Sequence, residues 1–223
     1  MTVAPLRIAH RGMPRREREN TLPSFAAALA AGADGIELDV HATADGVVVV
    51  HHDPVISGGM AIARTGWREL QHAASAADLQ IPTLAEVCDL VEDQVELFVE
   101  IKGSGIEREV VAALASHGGP SAIHSFDHEA IARLSRFDRR LRLGLLFEER
   151  TPDVASMLGA DGALDAWPHH TLVDRLLVDA VHRMGGRVIA WTVNDQREIA
   201  RLAALDVDGL CTDDVTLVAV PSD

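Results

Sequence analysis

The chain is poor in sulfur, in aromatic rings and in positive charge, and each scarcity narrows what it does. Only two cysteines are present, Cys88 and Cys211, far apart and inside apolar strings. They read as buried free thiols in a reducing compartment, not as a disulfide framework. No apolar run approaches the roughly 20 residues needed to cross a bilayer, and Met1-Thr2-Val3-Ala4-Pro5 carries no charged leader pattern. A cytoplasmic protein is therefore expected. Lys and Arg number 20 against 34 Asp and Glu, a net charge of −14. That balance excludes the basic footprint of a nucleic-acid binder and disfavours stable association with an anionic membrane. Aromatics at 4% likewise provide little for a membrane-docking lip. A phosphorylated small molecule would be repelled at long range, so its capture would fall to local cations.

What the chain does have is regular alternation. With 223 residues, 48% apolar and 24% charged, it fits one domain spanning 1–223 with ample core. Strand-like runs fall at 7–10, 35–40, 47–51, 96–102, 122–126, 141–147, 162–167, 187–193 and 208–211. Helix-like runs fall between them: from a cap at Asn20 or Thr21 with Pro23 in the first turn, from Pro82-Thr83 to Val91, from Ile106 to His117, after Asp127, over 153–158, 172–184 and 195–205. The stretch 54–81 reads as irregular, with one short helix near Trp67. Asp45-Gly46 is a hairpin signal, so the third run folds back on the second as an arm. Eight strands remain, and all but the last precede a helix. The sequence thus predicts a (β/α)₈ TIM barrel with a β-hairpin arm and a short insertion, 54–80, after the second strand. A doubly wound open sheet would want a Gly-rich loop after the first strand, and His10-Arg11-Gly12 is not one.

In such a barrel, chemistry collects at the C-terminal strand ends. His10, Glu37, Asp39, Glu100 and Lys102 all fall there, and strand alternation puts Glu37 with Asp39 and Glu100 with Lys102 on common faces. A symmetric hairpin would set His52 opposite Glu37. Three carboxylates, Glu37, Asp39 and Glu100, suit a hard cation, Mg²⁺ or Ca²⁺. His10 and His52 suit acid–base work. Arg11 and Lys102 suit phosphate oxygens, and Trp191 a pocket wall against an alcohol group. His51 is expected to pack or point outward, and His117, His124, His128 and His182 read as surface or packing residues. Glu19-Asn20 reads as a helix start and, beyond that, as support for the site.

These residues stand in a longer ordered pattern. His10-Arg11-Gly12, Glu19-Asn20-Thr21, the run from Gly32 to Val40, Thr43-Ala44-Asp45-Gly46 and His52-Asp53 are followed by Ile81-Pro82-Thr83-Leu84 and Glu100-Ile101-Lys102. Ser125-Phe126, Trp191-Thr192-Val193-Asn194 and the run from Asp208 to Asp213 complete it. In this pattern the chain resembles the glycerophosphodiester phosphodiesterases across nearly its whole length. The resemblance implies a (β/α)₈ barrel and hydrolysis of glycerophosphodiesters to glycerol 3-phosphate and an alcohol. It further implies a divalent metal at Glu37, Asp39 and Glu100, an acid–base pair at His10 and His52, and phosphate contacts from Arg11 and Lys102. The chain departs from the family in length, since only 54–80 fills the place of a larger insertion that shapes the substrate mouth. Two other readings stand beside this one: a related barrel phospholipase acting on lysophospholipids or phosphoinositides, and a non-catalytic glycerophosphodiester-binding module.

Overall fold

The computed structural model describes residues 4–115 and 117–218. Strand β1 (Leu6–His10) leads to α1 (Leu22–Ala30), whose Thr21 cap accepts from Ser24 N–H and whose second residue is Pro23. Next come β2 (Gly35–Ala42), β3 (Val48–Val50), the short β4 (Val55–Ile56) and β5 (Met60–Ala61), and α2 (Trp67–Ala76). Then follow α3 (Leu84–Val91), β6 (Glu96–Ile101), α4 (Glu107–Leu114), β7 (Ser121–Ser125) and α5 (His128–Phe137). The chain ends through β8 (Arg142–Phe147), α6 (Val154–Asp161), β9 (Asp165–Pro168), α7 (Arg175–Arg183), β10 (Arg187–Ala190), α8 (Gln196–Ala203) and β11 (Gly209–Thr212).

The eight strands β1, β2, β6, β7, β8, β9, β10 and β11 pair in parallel in that order, and β11 closes back onto β1. The expected (β/α)₈ barrel is what forms. Alternation divides each strand between two layers. Leu38, Val40, Val99, Ile123 and Leu145 face the helices in the larger core cluster. Ile8, Phe98, Ala122, Leu146, Trp167, Ile189 and Cys211 fill the barrel interior. Below that plug, at the N-terminal strand ends, the fully buried Asp165 is gripped by Arg142 (2.7 Å) and Arg187 (2.7 Å). Arg187 reaches on to Glu96 (2.8 Å), so every charge at the barrel floor has a partner.

The hairpin arm forms, with β3 antiparallel to β2. Its register differs by one from a symmetric turn. Val40 faces Val50 and Ala42 faces Val48, because Thr43 N–H and Oγ both engage Val47 and close a wider loop. This register, extended, would set Leu38 rather than Glu37 opposite His52, and β3 ends at Val50, so His52 lies beyond the strand. The 54–80 segment is more ordered than an irregular reading allows. The β4–β5 ribbon, a 3₁₀ turn (Ile62–Arg64) and α2 bury Ile56, Ile62, Leu70 and Ala74 against Val49 of the arm. Helix α7 begins at Arg175, later than 172, because residues 170–172 form a 3₁₀ turn and Asp174 caps the helix by accepting from Leu177 N–H. Both cysteines are buried and free, and no helix among the described residues is long and apolar enough to cross a membrane.

Candidate active site at the barrel mouth

Parallel register sets the site. His10 of β1 stands beside Glu37 of β2. One step higher, Asp39 of β2, Glu100 of β6 and His124 of β7 form a row across three adjacent strands. After β1 the chain turns sharply through two left-handed residues, Arg11 (φ 56) and Gly12 (φ 88). A Cβ on Gly12 would collide with Ser24, whose hydroxyl bridges Met13 N–H and the Arg11 carbonyl. The turn lets the Arg11 N–H donate to the Glu37 carbonyl (2.9 Å) and Oε2 (3.2 Å), while its side chain reaches over Asp39 (3.0 Å).

The carboxylates divide into two kinds. Asp39 is well supplied: Asn20 donates to it (2.8 Å), and Arg11 and Lys102 (3.6 Å) flank it. Burial works against its charge, but Arg11 and Lys102 outweigh it and hold the carboxyl below its usual range. Glu37 and Glu100 are not supplied in this way. Burial, reinforced by Asp39 and then by Glu100, pushes Glu37 well above the ordinary carboxylate range. Burial and then Asp39 push Glu100 up to about 7, despite Lys102 at 3.0 Å. The expected helix-start residues Glu19 and Asn20 act as supports, Glu19 on Arg11 (3.1 Å) and Asn20 on Asp39.

His124, read from sequence as surface or packing, is fully buried at this site, stacked on Trp167 with centroids 4.1 Å apart. Burial pushes it down to about 3, so it is a neutral imidazole. Among the described residues, ligand atoms of Glu37, Glu100 and His124 lie within 4.8 Å of one another. Asp39, expected as the third ligand, borders this group through Oδ1, which is buried and accepts no hydrogen bond. Under-neutralised buried acids beside a carboxylate oxygen that accepts no hydrogen bond are the surroundings a divalent cation fits. The alternation argument applied to Glu37 and Asp39 also predicts His124 to face inward with Ala122, and so would have found it.

Both histidines expected to handle protons line the same cleft, with Arg11, Lys102 and Trp191. Each has Nδ1 tied to a carboxylate: His10 to Asp213 (2.7 Å), His52 to the adjacent Asp53 (2.8 Å). That bond orients the ring and leaves Nε2 as the working nitrogen. Asp213 is itself fixed by Asn194 Nδ2 (2.6 Å), and Asn194 Oδ1 accepts from Asp213 N–H and Thr212 Oγ. Burial opposes the Asp213 charge, but His10 and Asn194 hold its carboxyl below the usual range. His41 Nε2 donates to the His52 carbonyl (3.1 Å) and ties down that loop. His51 turns away, bonding the Asp53 carbonyl. Asp213 and Asn194 lie in motifs visible in the sequence, but their link to His10 spans the closure of the barrel and has no local signal.

Barrel hydrolases of phosphate esters are the class to which such a mouth belongs. Residues 10–217 match the glycerophosphoryl diester phosphodiesterase family. The glycerophosphodiester phosphodiesterase of Caldanaerobacter subterraneus subsp. tengcongensis is 31% identical over 226 residues, covering 93% of each chain. An Oleispira antarctica phosphodiesterase, solved in complex with the product sn-glycerol-3-phosphate, superposes with a TM-score of 0.84 at 26% identity over 94% of each chain. A glycerophosphodiester phosphodiesterase from Thermotoga maritima gives 0.84 at 25% identity, covering 96% of this chain and 97% of that one. The chain belongs to the glycerophosphoryl diester phosphodiesterase family.

Proposed function

We propose that this chain hydrolyses glycerophosphodiesters to glycerol 3-phosphate and an alcohol, using a divalent metal and two histidines. The observation that carries the reading is the pair of imidazoles, His10 and His52, each tied to its own carboxylate through Nδ1 and both lining one cleft with Arg11 and Lys102. Arg11 and Lys102 bind the phosphodiester oxygens, Arg11 as a planar fork and Lys102 as a point charge. His10 accepts the proton of the attacking oxygen through Nε2, with Asp213 stabilising the imidazolium that results. His52 donates a proton to the departing alcohol as the P–O bond breaks. Trp191 walls the alcohol side. Glu37, Asp39 and Glu100 would hold Mg²⁺ or Ca²⁺, oxygen ligands matching a hard cation. A cation so bound supplies charge stabilisation at a phosphoryl oxygen. His124 stays a neutral neighbour under that assignment, and a softer metal such as zinc would recruit its nitrogen.

The test is glycerol 3-phosphate release from glycerophosphocholine and glycerophosphoethanolamine after EDTA treatment, with Mg²⁺, Ca²⁺ or Zn²⁺ restored. Release that needs Mg²⁺ or Ca²⁺ and falls by about 10²-fold or more in His10→Ala and His52→Ala is the expected result. Near-normal turnover in both variants defeats the histidine scheme. Release restored by Zn²⁺ alone defeats the all-oxygen metal site.

A further inference from the structure

Across the mouth from His10 and Arg11 the cleft changes character. Strand order puts β8 across the ring from β1, so Glu148, the first residue after β8, stands across the mouth from His10, and both line the cleft. Aromatic rings at neighbouring strand ends flank it. Phe126 follows β7, His169 follows β9 and Trp191 follows β10. Trp191 is fixed by its Nε1 donating to the Trp167 carbonyl (2.9 Å). Phe126 meets it edge-to-face (5.6 Å, 84°), and so does His169 (5.4 Å, 86°). In a chain with so few aromatics, this concentration beside the reacting centre is a built surface. Phe126 is left 42% exposed, which a packing role does not require.

Glu148 has no ion pair or hydrogen bond among the described residues, whereas nearby Arg150 turns to Asp174 (3.5 Å). Burial and then His170 push His169 down, against the opposing pull of Glu148, so that ring favours its neutral form and offers the acid little compensating charge. Lys102, whose Nζ is 5.9 Å from the Phe126 centroid, is held by Glu100 and Asp39. The cleft is therefore graded: the Arg11 guanidinium beside β1, the Lys102 ammonium between Glu100, Asp39 and the Phe126 ring, and across from β1 a carboxylate without an ion pair, near Trp191. Aromatic faces with a carboxylate attract organic cations, quaternary ammonium above all.

The geometry points to Glu148, with the ring of Trp191, as the selector for a leaving alcohol that carries an ammonium or quaternary ammonium group. This specificity rests on the hydrolysis proposed above. A neutral polyol leaving group lacks the matching charge, and an anionic one meets repulsion.

The experiment compares kcat/KM for glycerophosphocholine, glycerophosphoethanolamine and the uncharged-alcohol substrate glycerophosphoglycerol in wild type, Glu148→Gln and Glu148→Lys, with thermal melts as the folding control. Wild type is expected to favour the two cationic substrates by about tenfold. Glu148→Gln brings the ratio close to one, and Glu148→Lys reverses it. Trp191→Leu costs glycerophosphocholine more than glycerophosphoethanolamine, because the quaternary ammonium depends more on the ring face. A cationic-to-neutral ratio that is the same in wild type and Glu148→Gln, with turnover intact, overturns the selector. No release from any of the three substrates with any metal removes instead the activity on which it rests.

Discussion

Replacing Glu100 by Gln is expected to make the metal-free protein more stable, and only at high pH. Glu100 lies buried beside Asp39, and its carboxyl is raised from 4.5 to about 7 in the folded state. In the unfolded chain it ionises at its ordinary value. Between those two points the folded protein holds a proton that the unfolded chain has lost, so stability falls as pH rises through this window and levels off above about 7. A displacement of this size corresponds to about 3 kcal/mol. A neutral Gln escapes the loss. For a chain of this length 1 kcal/mol moves Tm by roughly 2–4 °C, so with EDTA present the variant should melt about 5–10 °C above wild type at pH 8.5. At pH 5, where wild-type Glu100 is already protonated in the fold, the two should melt together within about 2 °C. Adding Ca²⁺ or Mg²⁺ at pH 8.5 should raise wild type more than the variant, since the variant lacks one of the carboxylates proposed as ligands. The assay is differential scanning fluorimetry or calorimetry across pH. A variant no more stable than wild type at pH 8.5, or one equally stabilised at pH 5, refutes the reasoning.

The other expectations concern supports rather than the reacting centre. Asp213→Asn should lower kcat by about 10²-fold or more, by analogy with any histidine deprived of its orienting carboxylate, and should shift the acidic limb of the pH–rate profile; an unchanged profile would place Asp213 outside the proton path. Gly12→Ala should destabilise by more than about 1 kcal/mol, since the site combines a left-handed backbone (φ 88) with a collision at Ser24, and urea denaturation would measure it. Asp165→Ala should cost about 3 kcal/mol by removing the partner of Arg142 and leaving Arg187 with Glu96 alone, again read from the denaturation midpoint. His124→Ala should weaken Zn²⁺ binding more than Mg²⁺ binding if oxygen ligands hold the hard cation, a contrast open to calorimetric titration.

Much of this was legible in the sequence because it depends on local periodicity. Two-residue alternation assigns Glu37, Asp39 and Glu100 to the inner face, and Thr83 with Glu86 closes a reciprocal cap at α3 that Pro82-Thr83 already announces. What was not legible depends on register and closure. The arm slips by one residue because Thr43 bonds Val47, a choice of loop that Asp45-Gly46 alone does not determine. His10 meets Asp213 only because β11 pairs with β1, a contact between the two ends of the described chain. The β4–β5 ribbon was hidden by its glycines: Gly58 and Gly59 both take positive φ (85° and 79°) in a stretch too short to show alternation. His124 is a different case. It is one of eleven histidines, and its place on β7 carries the same inward signal as the acids.

The two ends of the barrel treat buried charge in opposite ways, and that contrast separates structure from function without reference to any relative. At the floor, Asp165 has two guanidinium partners and Glu96 shares one of them. At the mouth, Glu37, Asp39 and Glu100 share one guanidinium and one ammonium, and two of the three are held above the ordinary carboxylate range. A fold selected only for stability would have paired or removed those acids, since an unpaired buried charge costs several kcal/mol. Neutralising an acid at the floor should therefore destabilise the metal-free protein, while neutralising Glu100 at the mouth should stabilise it at pH 8.5. Substitutions of the same chemical kind, Asp165→Asn and Glu100→Gln, should thus move Tm in opposite directions, and the sign at the mouth should invert once a divalent cation is bound.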